Sequence, residues 1–294
     1  MQIDRADSEF PDIRELTLGD LESLRLGWWS RFDPTEVEAV LASAPGISTW
    51  VPDSHDYALV GPWRHRGDVV HVVELVAMRH SVELAKASLE RARDSGIRLF
   101  LAVEMTERRQ SAFYERVGLS VLEEVISYEL FHPRPARIAS NEITALTPGQ
   151  CSLDVLNRID SDAFPWLWRN SGAEFSEYLR HPGVEVHLLT ASGQPVGYVG
   201  LTAYHGWGHI DRIAVRAGHQ GRGFGRRLTE FAISRLATLG SSRIGLSTQR
   251  RNARSQALYA SLGFTRQLGS DYQIYGRALR DSDSIDELVI GPQE

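Results

Sequence analysis

The chain has 294 residues, 42% of them hydrophobic, and a formal net charge of −6. Its length favours two domains over one, and no apolar run approaches the roughly 20 residues of a membrane-spanning helix. The acidic balance leaves no electrostatic footprint for nucleic acid, and a single cysteine, Cys151, excludes an internal disulfide and a cysteine-based zinc site.

The start, Met1-Gln2-Ile3-Asp4, is polar and acidic rather than signal-like, so a cytoplasmic protein is expected. Hydrophobic periodicity then predicts a strand over 12–17, helical segments from Leu18 and over 36–43, and strands over 57–60 and 69–77. Val82, Ala85, Leu89 and Ala92 fall at helical spacing and end at Gly96, a residue suited to a C-terminal cap. A strand over 97–103 precedes a segment around Tyr114, and two prolines, Pro133 and Pro135, interrupt regular pairing and mark a link. Beyond the link come a strand over 142–146, helices over 153–160 and 174–179, and strands over 184–190, 195–204 and 210–215. A glycine-rich turn leads into a helix carrying Leu228, Phe231, Ala232, Leu236 and Leu239, which ends at Gly240. A strand over 243–247 and a second tyrosine segment over 252–264 follow. From Asp281 the chain is acidic and rich in serine, the composition of a disordered tail.

The two halves repeat one design. Ser111-Ala112-Phe113-Tyr114-Glu115-Arg116-Val117-Gly118-Leu119 mirrors the segment from Gln256 to Phe264, and a helix, a capping glycine and a short strand precede each in the same order. Duplication explains this better than chance. Domains are therefore expected over 1–135 and 136–280, with an acidic tail over 281–294.

The most informative stretch joins the strand ending at Val215 to the following helix through Gln220-Gly221-Arg222-Gly223-Phe224-Gly225-Arg226. Closely spaced glycines let several N–H groups converge, and a helix start adds free N–H groups and a positive dipole end. The turn is built to hold an anion, and its arginines strengthen that reading. It is not a dinucleotide fingerprint, which needs a third glycine where Arg226 or Leu228 stands. Nor is it a Walker loop, because the only lysine is the distant Lys86.

What remains, Gln-x-x-Gly-x-Gly, resembles the pyrophosphate loop of the GNAT superfamily of acyl-CoA-dependent N-acyltransferases. Asn252-Ala253-Arg254-Ser255-Gln256-Ala257-Leu258-Tyr259-Ala260-Ser261-Leu262-Gly263-Phe264 is similar to that family's Asn-x-x-x-x-x-Leu-Tyr-x-x-x-Gly-Phe motif. The resemblance implies an α/β fold, with a mixed, mostly antiparallel sheet flanked by helices, present here as two tandem GNAT-like domains. The first copy has Met78-Arg79-His80-Ser81 in place of the loop and Glu107 in place of Asn252, so it is expected to be degenerate, with Tyr114 a packing residue.

The same resemblance implies acetyl-CoA as co-substrate. Gln220, Gly221, Arg222, Gly223, Phe224, Gly225 and Arg226 would hold its pyrophosphate, and the backbone of Ile213, Ala214 and Val215 its pantetheine arm, with Asn252 hydrogen-bonding the latter. Val215 would supply an oxyanion donor and Tyr259 the proton for the departing thiolate. The base is less defined. The fifth-strand glutamate of the similar ribosomal-protein N-terminal acetyltransferases aligns with Ser247, which cannot serve. His209 aligns with a fourth-strand glutamate of other members, with Asp211 beside it, and a bound water is the alternative. His205 and His209 flank glycines that argue against a shared helix face, so no metal is expected. Phe164-Pro165-Trp166-Leu167-Trp168 is either an acceptor wall or a packing surface. The expected activity is N-acetylation of a small-molecule or peptide amine by a monomer or homodimer. The alternative is an acyl-CoA-binding or sensing module without turnover.

Overall fold

The computed structural model describes residues 11–26, 30–104, 109–136, 142–146 and 153–290. Cys151 and Glu107 lie outside them. The chain divides into two compact units, Met1–Leu122 with Gln273–Ser284, and Glu123–Tyr272 with Ile285–Glu294.

The first unit contains β1 (Arg14–Glu15), α1 (Pro34–Ser43), β2 (Thr49–Val51), β3 (Asp56–Pro62), β4 (Val69–Val76), α2 (Ser81–Asp94), β5 (Leu99–Val103) and α3 (Ser111–Val117). Strands β1 to β4 pair in antiparallel succession, and β4 pairs β5 in parallel. A capping box starts α1: Asp33 accepts the Glu36 N–H, Glu36 accepts the Asp33 N–H, and Pro34 follows at the first turn. Helix α2 buries the expected stripe of Val82, Ala85, Leu89 and Ala92, and Leu84 besides, and Gly96 ends it at φ 76°. Tyr114 is fully buried and stacks on Tyr275 with ring centroids 3.9 Å apart, a packing role.

The second unit takes up most of β6 (Ser120–Phe131), then β7 (Ile143–Ala145), α4 (Leu153–Ala163), α5 (Gly172–Tyr178), β8 (Val184–Ala191), β9 (Gln194–Tyr204), β10 (Trp207–Val215), α6 (Phe224–Thr238), β11 (Arg243–Gln249), α7 (Ala253–Ser261) and β12 (Thr265–Arg266). Its strand order is β6-β11-β10-β9-β8-β7, with β12 also on β6. Among the described strands of this sheet, β10 and β11 pair in parallel and the other pairs are antiparallel. Helix α6 buries Leu228, Ala232 and Leu236 as expected, while Leu239 is exposed. The last described elements are β13 (Tyr272–Ala278) and α8 (Ile285–Val289).

The sheets agree with the mixed, mostly antiparallel α/β class, but the chain divides in a different place from the proline link. The strand after each tyrosine helix joins the sheet of the other half of the sequence. Strand β6 pairs β11 from Val125↔Gln249 to Phe131↔Arg243, and β13 pairs β5 from Ile274↔Val103 to Ala278↔Leu99. Val125, Ile126 and Tyr128 are buried, so the change of unit comes at 122/123, inside a strand, and not at 135/136. The acidic tail is also corrected within its described part. Asp283 forms a two-pronged ion pair with Arg98 at 2.9 and 2.9 Å, and Leu288 and Val289 of α8 are buried.

Candidate functional site

The site begins where two parallel strands part. Strand β10 pairs β11 from Trp207↔Arg243 only as far as Ile210↔Leu246, although β10 continues to Val215 and β11 to Gln249. A bulge between Ile210 and Arg212 in the β9–β10 ladder accompanies the parting. Arg216 N–H donates to the Val196 carbonyl at 2.9 Å. Antiparallel alternation therefore turns the amides and carbonyls of Val215 and Ile213 away from β9, towards the opening. Gln220 Nε2 donates to the Val215 carbonyl at 3.0 Å, and Arg254 donates to Gln220 Oε1 at 3.3 Å. The glutamine of the sequence motif thus fastens the turn to the strand it leaves.

Gly221 and Gly223 adopt φ 78° and 82°, a left-handed conformation that favours glycine. Gly223 is the N-cap of α6, and no side chain caps this helix start. The first intrahelical bond runs from Arg227 N–H to the Gly223 carbonyl at 3.1 Å, which leaves the preceding amides of the turn free to serve an anion. Arg226 is held beside the turn by a 2.7 Å bond to Ser261.

A cavity of about 630 Å³ opens between the parted strands and this turn. Of the residues singled out by sequence, Ile213, Val215, Gln220, Gly221, Gly223 and Gly225 line it, as do Arg226, Asn252 and Tyr259. Ala214, Arg222, Phe224 and His209 do not; the Ala214 side chain is buried among Leu156, Phe175 and Tyr198. Asn252 Oδ1 accepts the Ser255 N–H at 3.1 Å and so caps α7, leaving its Nδ2 as the remaining donor. The Tyr259 ring packs between Tyr128 and Phe264, and burial pushes its phenol up to about 12 against a smaller opposing effect of Ser255. It stays protonated at neutral pH.

His209 lies outside the cavity lining. Its Nδ1 is 2.7 Å from Asp211 Oδ1, while Tyr178 and Thr202 donate to Asp211 Oδ2 at 2.5 and 2.7 Å. Burial, with the Asp211 charge next, pushes the Tyr178 phenol far up, so it remains a donor. In the tautomer that donates Nδ1–H to Asp211, Nε2 is the acceptor. Ser247, at the position of the missing glutamate, instead faces Ser127 on β6 at 3.2 Å.

Several lining residues escaped sequence reasoning. Glu123, buried near the start of β6, brings a carboxylate to the cavity and pairs with Arg251 at 2.6 and 3.1 Å. Its position depends on β6 pairing β11, for which the sequence gives no local signal. Val289 and Ile290 come from the supposed tail. Phe164, Pro165 and Trp168 line the cavity, whereas Trp166 does not. A buried clamp fixes that segment. Asp160 binds Arg212 at 2.6 and 2.9 Å and accepts the Asn170 N–H at 2.8 Å, while Arg212 reaches the Trp168 carbonyl at 2.5 Å and lies 3.9 Å from the Phe164 ring centroid.

Residues 153–264 match the model of the Acetyltransferase (GNAT) family. Over 58 residues the chain is 45% identical to the mycothiol acetyltransferase of Beutenbergia cavernae, a stretch that covers 20% of each protein. Similar solved structures include a GCN5-related N-acetyltransferase from Sphaerobacter thermophilus, with a TM-score of 0.59 and 18% identity over 92% of this chain and 98% of that one. A tandem GNAT protein from the clavulanic acid biosynthesis pathway gives 0.54 and 15% over 92% and 99%. These two likenesses establish the fold across most of the chain. No helix among the described residues is long and apolar enough to cross a membrane. The family match falls on the half that carries the cavity, the glycine turn and Tyr259, and residues 153–264 of this chain are a domain of the GNAT acetyltransferase family.

Proposed function

We propose that the chain is an N-acetyltransferase that moves an acetyl group from acetyl-CoA to a primary amine of a small molecule or peptide, at a site in the second unit. The observation that carries this reading is the uncapped start of α6, with two left-handed glycines, opening onto the same cavity as Tyr259 and the free edge of β10.

Acetyl-CoA supplies an activated thioester whose sulfur departs as a thiolate. The amides of the turn and of the first α6 residues suit its pyrophosphate, with Arg222 and Arg226 adding charge. The Ile213 amide and carbonyl and the Val215 N–H, turned away from β9, offer an edge on which an extended amide chain pairs as an added strand. The Ala214 backbone faces β9 and Gln220 occupies the Val215 carbonyl, while Asn252 Nδ2 donates nearby. Val215 N–H, turned into the opening, stabilises negative charge as it gathers on the carbonyl oxygen. The Tyr259 phenol donates its proton to the departing sulfur, and solvent returns one to the phenolate. The attacking amine must itself give up a proton. His209 Nε2, held by Asp211 through Nδ1, is one acceptor, working through a water because it does not line the cavity. Glu123 is the second, favoured by lining the cavity and opposed by its ion pair with Arg251.

CoA release measured over peptides, aminoglycosides, polyamines and amino sugars tests the reading. Release with at least one amine is expected. Binding of acetyl-CoA without release from any of them would leave an acyl-CoA-sensing module.

A further inference from the structure

Beyond the residues that would hold the cofactor, the cavity has a polar side, with Glu123, Gln249, Arg251 and Arg254, and an apolar side. On the apolar side stand Phe164, Pro165 and Trp168, and with them Val289 and Ile290, the last of the described residues. Helix α8 packs against the turn Trp166–Trp168, and its Leu288 and Val289 are buried, while Ile290 is 37% exposed. The last described residues are thus built into the wall of the site. A five-residue helix has little intrinsic stability, so its place depends on that burial.

We propose that this C-terminal arm determines acceptor specificity, selecting a primary amine carried on an apolar body, aromatic or branched aliphatic, which Val289 and Ile290 enclose against Phe164 and Trp168. The proposal rests on the acetyltransfer reading for the reaction, but not for the binding it describes. An apolar pocket wall favours apolar over polar ligands by removing their surface from water, and loss of one branched side chain from it costs on the order of tenfold in discrimination. The same wall could in principle receive a longer acyl group from the thioester side, and the experiment separates the two sources.

The test compares three proteins: the full chain, Ile290→Ser, and a chain ending at Ser284. Dissociation constants for phenethylamine and glucosamine are measured by calorimetry on the CoA-loaded proteins, beside the acetyl-CoA dissociation constant. Steady-state rates are measured with acetyl-CoA and hexanoyl-CoA. Phenethylamine is expected to bind the full chain at least tenfold more tightly than glucosamine. Ile290→Ser should cut that preference about tenfold, and truncation should do so at least as strongly, with acetyl-CoA affinity within twofold. Ile290 is partly exposed, so its variant keeps the test valid where truncation unfolds the arm's neighbours. An unchanged amine preference in Ile290→Ser, or a change confined to acetyl against hexanoyl transfer, overturns the proposal. Arm-dependent binding of phenethylamine without CoA release would support the subsite and defeat the acetyltransfer reading.

Discussion

The Asp56 carboxylate accepts the backbone N–H of Met78 at 3.2 Å, and those of Arg79 and His80 at 3.3 and 3.4 Å. These amides lead into α2, the counterpart in the first half of the glycine turn before α6. Neither helix start has a side-chain cap, but in the first unit an internal carboxylate takes the amides that lead into the helix. The missing glycines at Met78–Ser81 are one half of the difference between the copies, and Asp56 is the other. Asp56 is buried, so Asp56→Ala leaves these amides unsatisfied and should cost about 2 kcal/mol of stability, read as a lower urea midpoint. Acetyl-CoA should still bind with a stoichiometry of one per chain. A second molecule bound to the wild type would show that Asp56 does not close the first turn.

The second turn depends on its backbone conformation. At Gly223, φ is 82° and an added Cβ would meet nothing within 4 Å. Gly223→Ala is therefore strained by about 1 to 2 kcal/mol without any steric clash. The expected outcome is weaker acetyl-CoA binding, by about tenfold, with a small fall in Tm. Equal affinity for both proteins would mean that the left-handed turn is not required for binding.

His71, on β4, gives the first unit an acid limit. Burial lowers its pKa to about 4, against a smaller raising effect of its hydrogen bond with the Gly61 backbone. The unfolded chain takes up the proton near 6.5 and the folded chain only near 4. Stability is thus full above pH 6.5 and falls as pH drops through that window, by about 3 kcal/mol for this group. Burial lowers His187 in the same direction. Urea midpoints for His71→Phe should depend less on pH between 6.5 and 4.5 than those of the wild type. Parallel profiles would contradict the assignment.

The pairing of β6 with β11 sets where the protein can be cut. A chain beginning at 136 lacks the strand that carries buried Val125, Ile126 and Tyr128. It should fail to give a cooperative unfolding transition, whereas restoring residues 120–135 as a peptide should recover structure by circular dichroism. A well-folded 136–294 fragment would show that β6 is dispensable.

Elements governed by local rules were legible in the sequence. The stripes of α2 and α6 and the caps at Gly96 and Gly240, with φ 76° and 88°, follow from helical spacing and from glycine's conformational freedom. The glycine turn was read from that same freedom, whereas Tyr259 and Asn252 were singled out by the resemblance of residues 252–264 to the GNAT motif. Strands β6 and β13 were not, because their partners lie far off in the chain: Ser127 meets Ser247 across a separation of 120 residues. Glu123 was hidden with β6. Helix α8 is too short to show a period, and only its burial beside Trp168 orders a segment whose composition reads as a tail.

The central claim is that Tyr259 works as a proton donor at the acetyl-CoA site of the second unit, and Tyr259→Phe tests it most directly. Single-turnover and steady-state CoA release should be measured with the best amine of the panel, beside acetyl-CoA affinity by calorimetry. The account predicts a fall in kcat of about a hundredfold, within the range for loss of a general acid, with the acetyl-CoA dissociation constant changed less than twofold. Full turnover by the phenylalanine variant would contradict it.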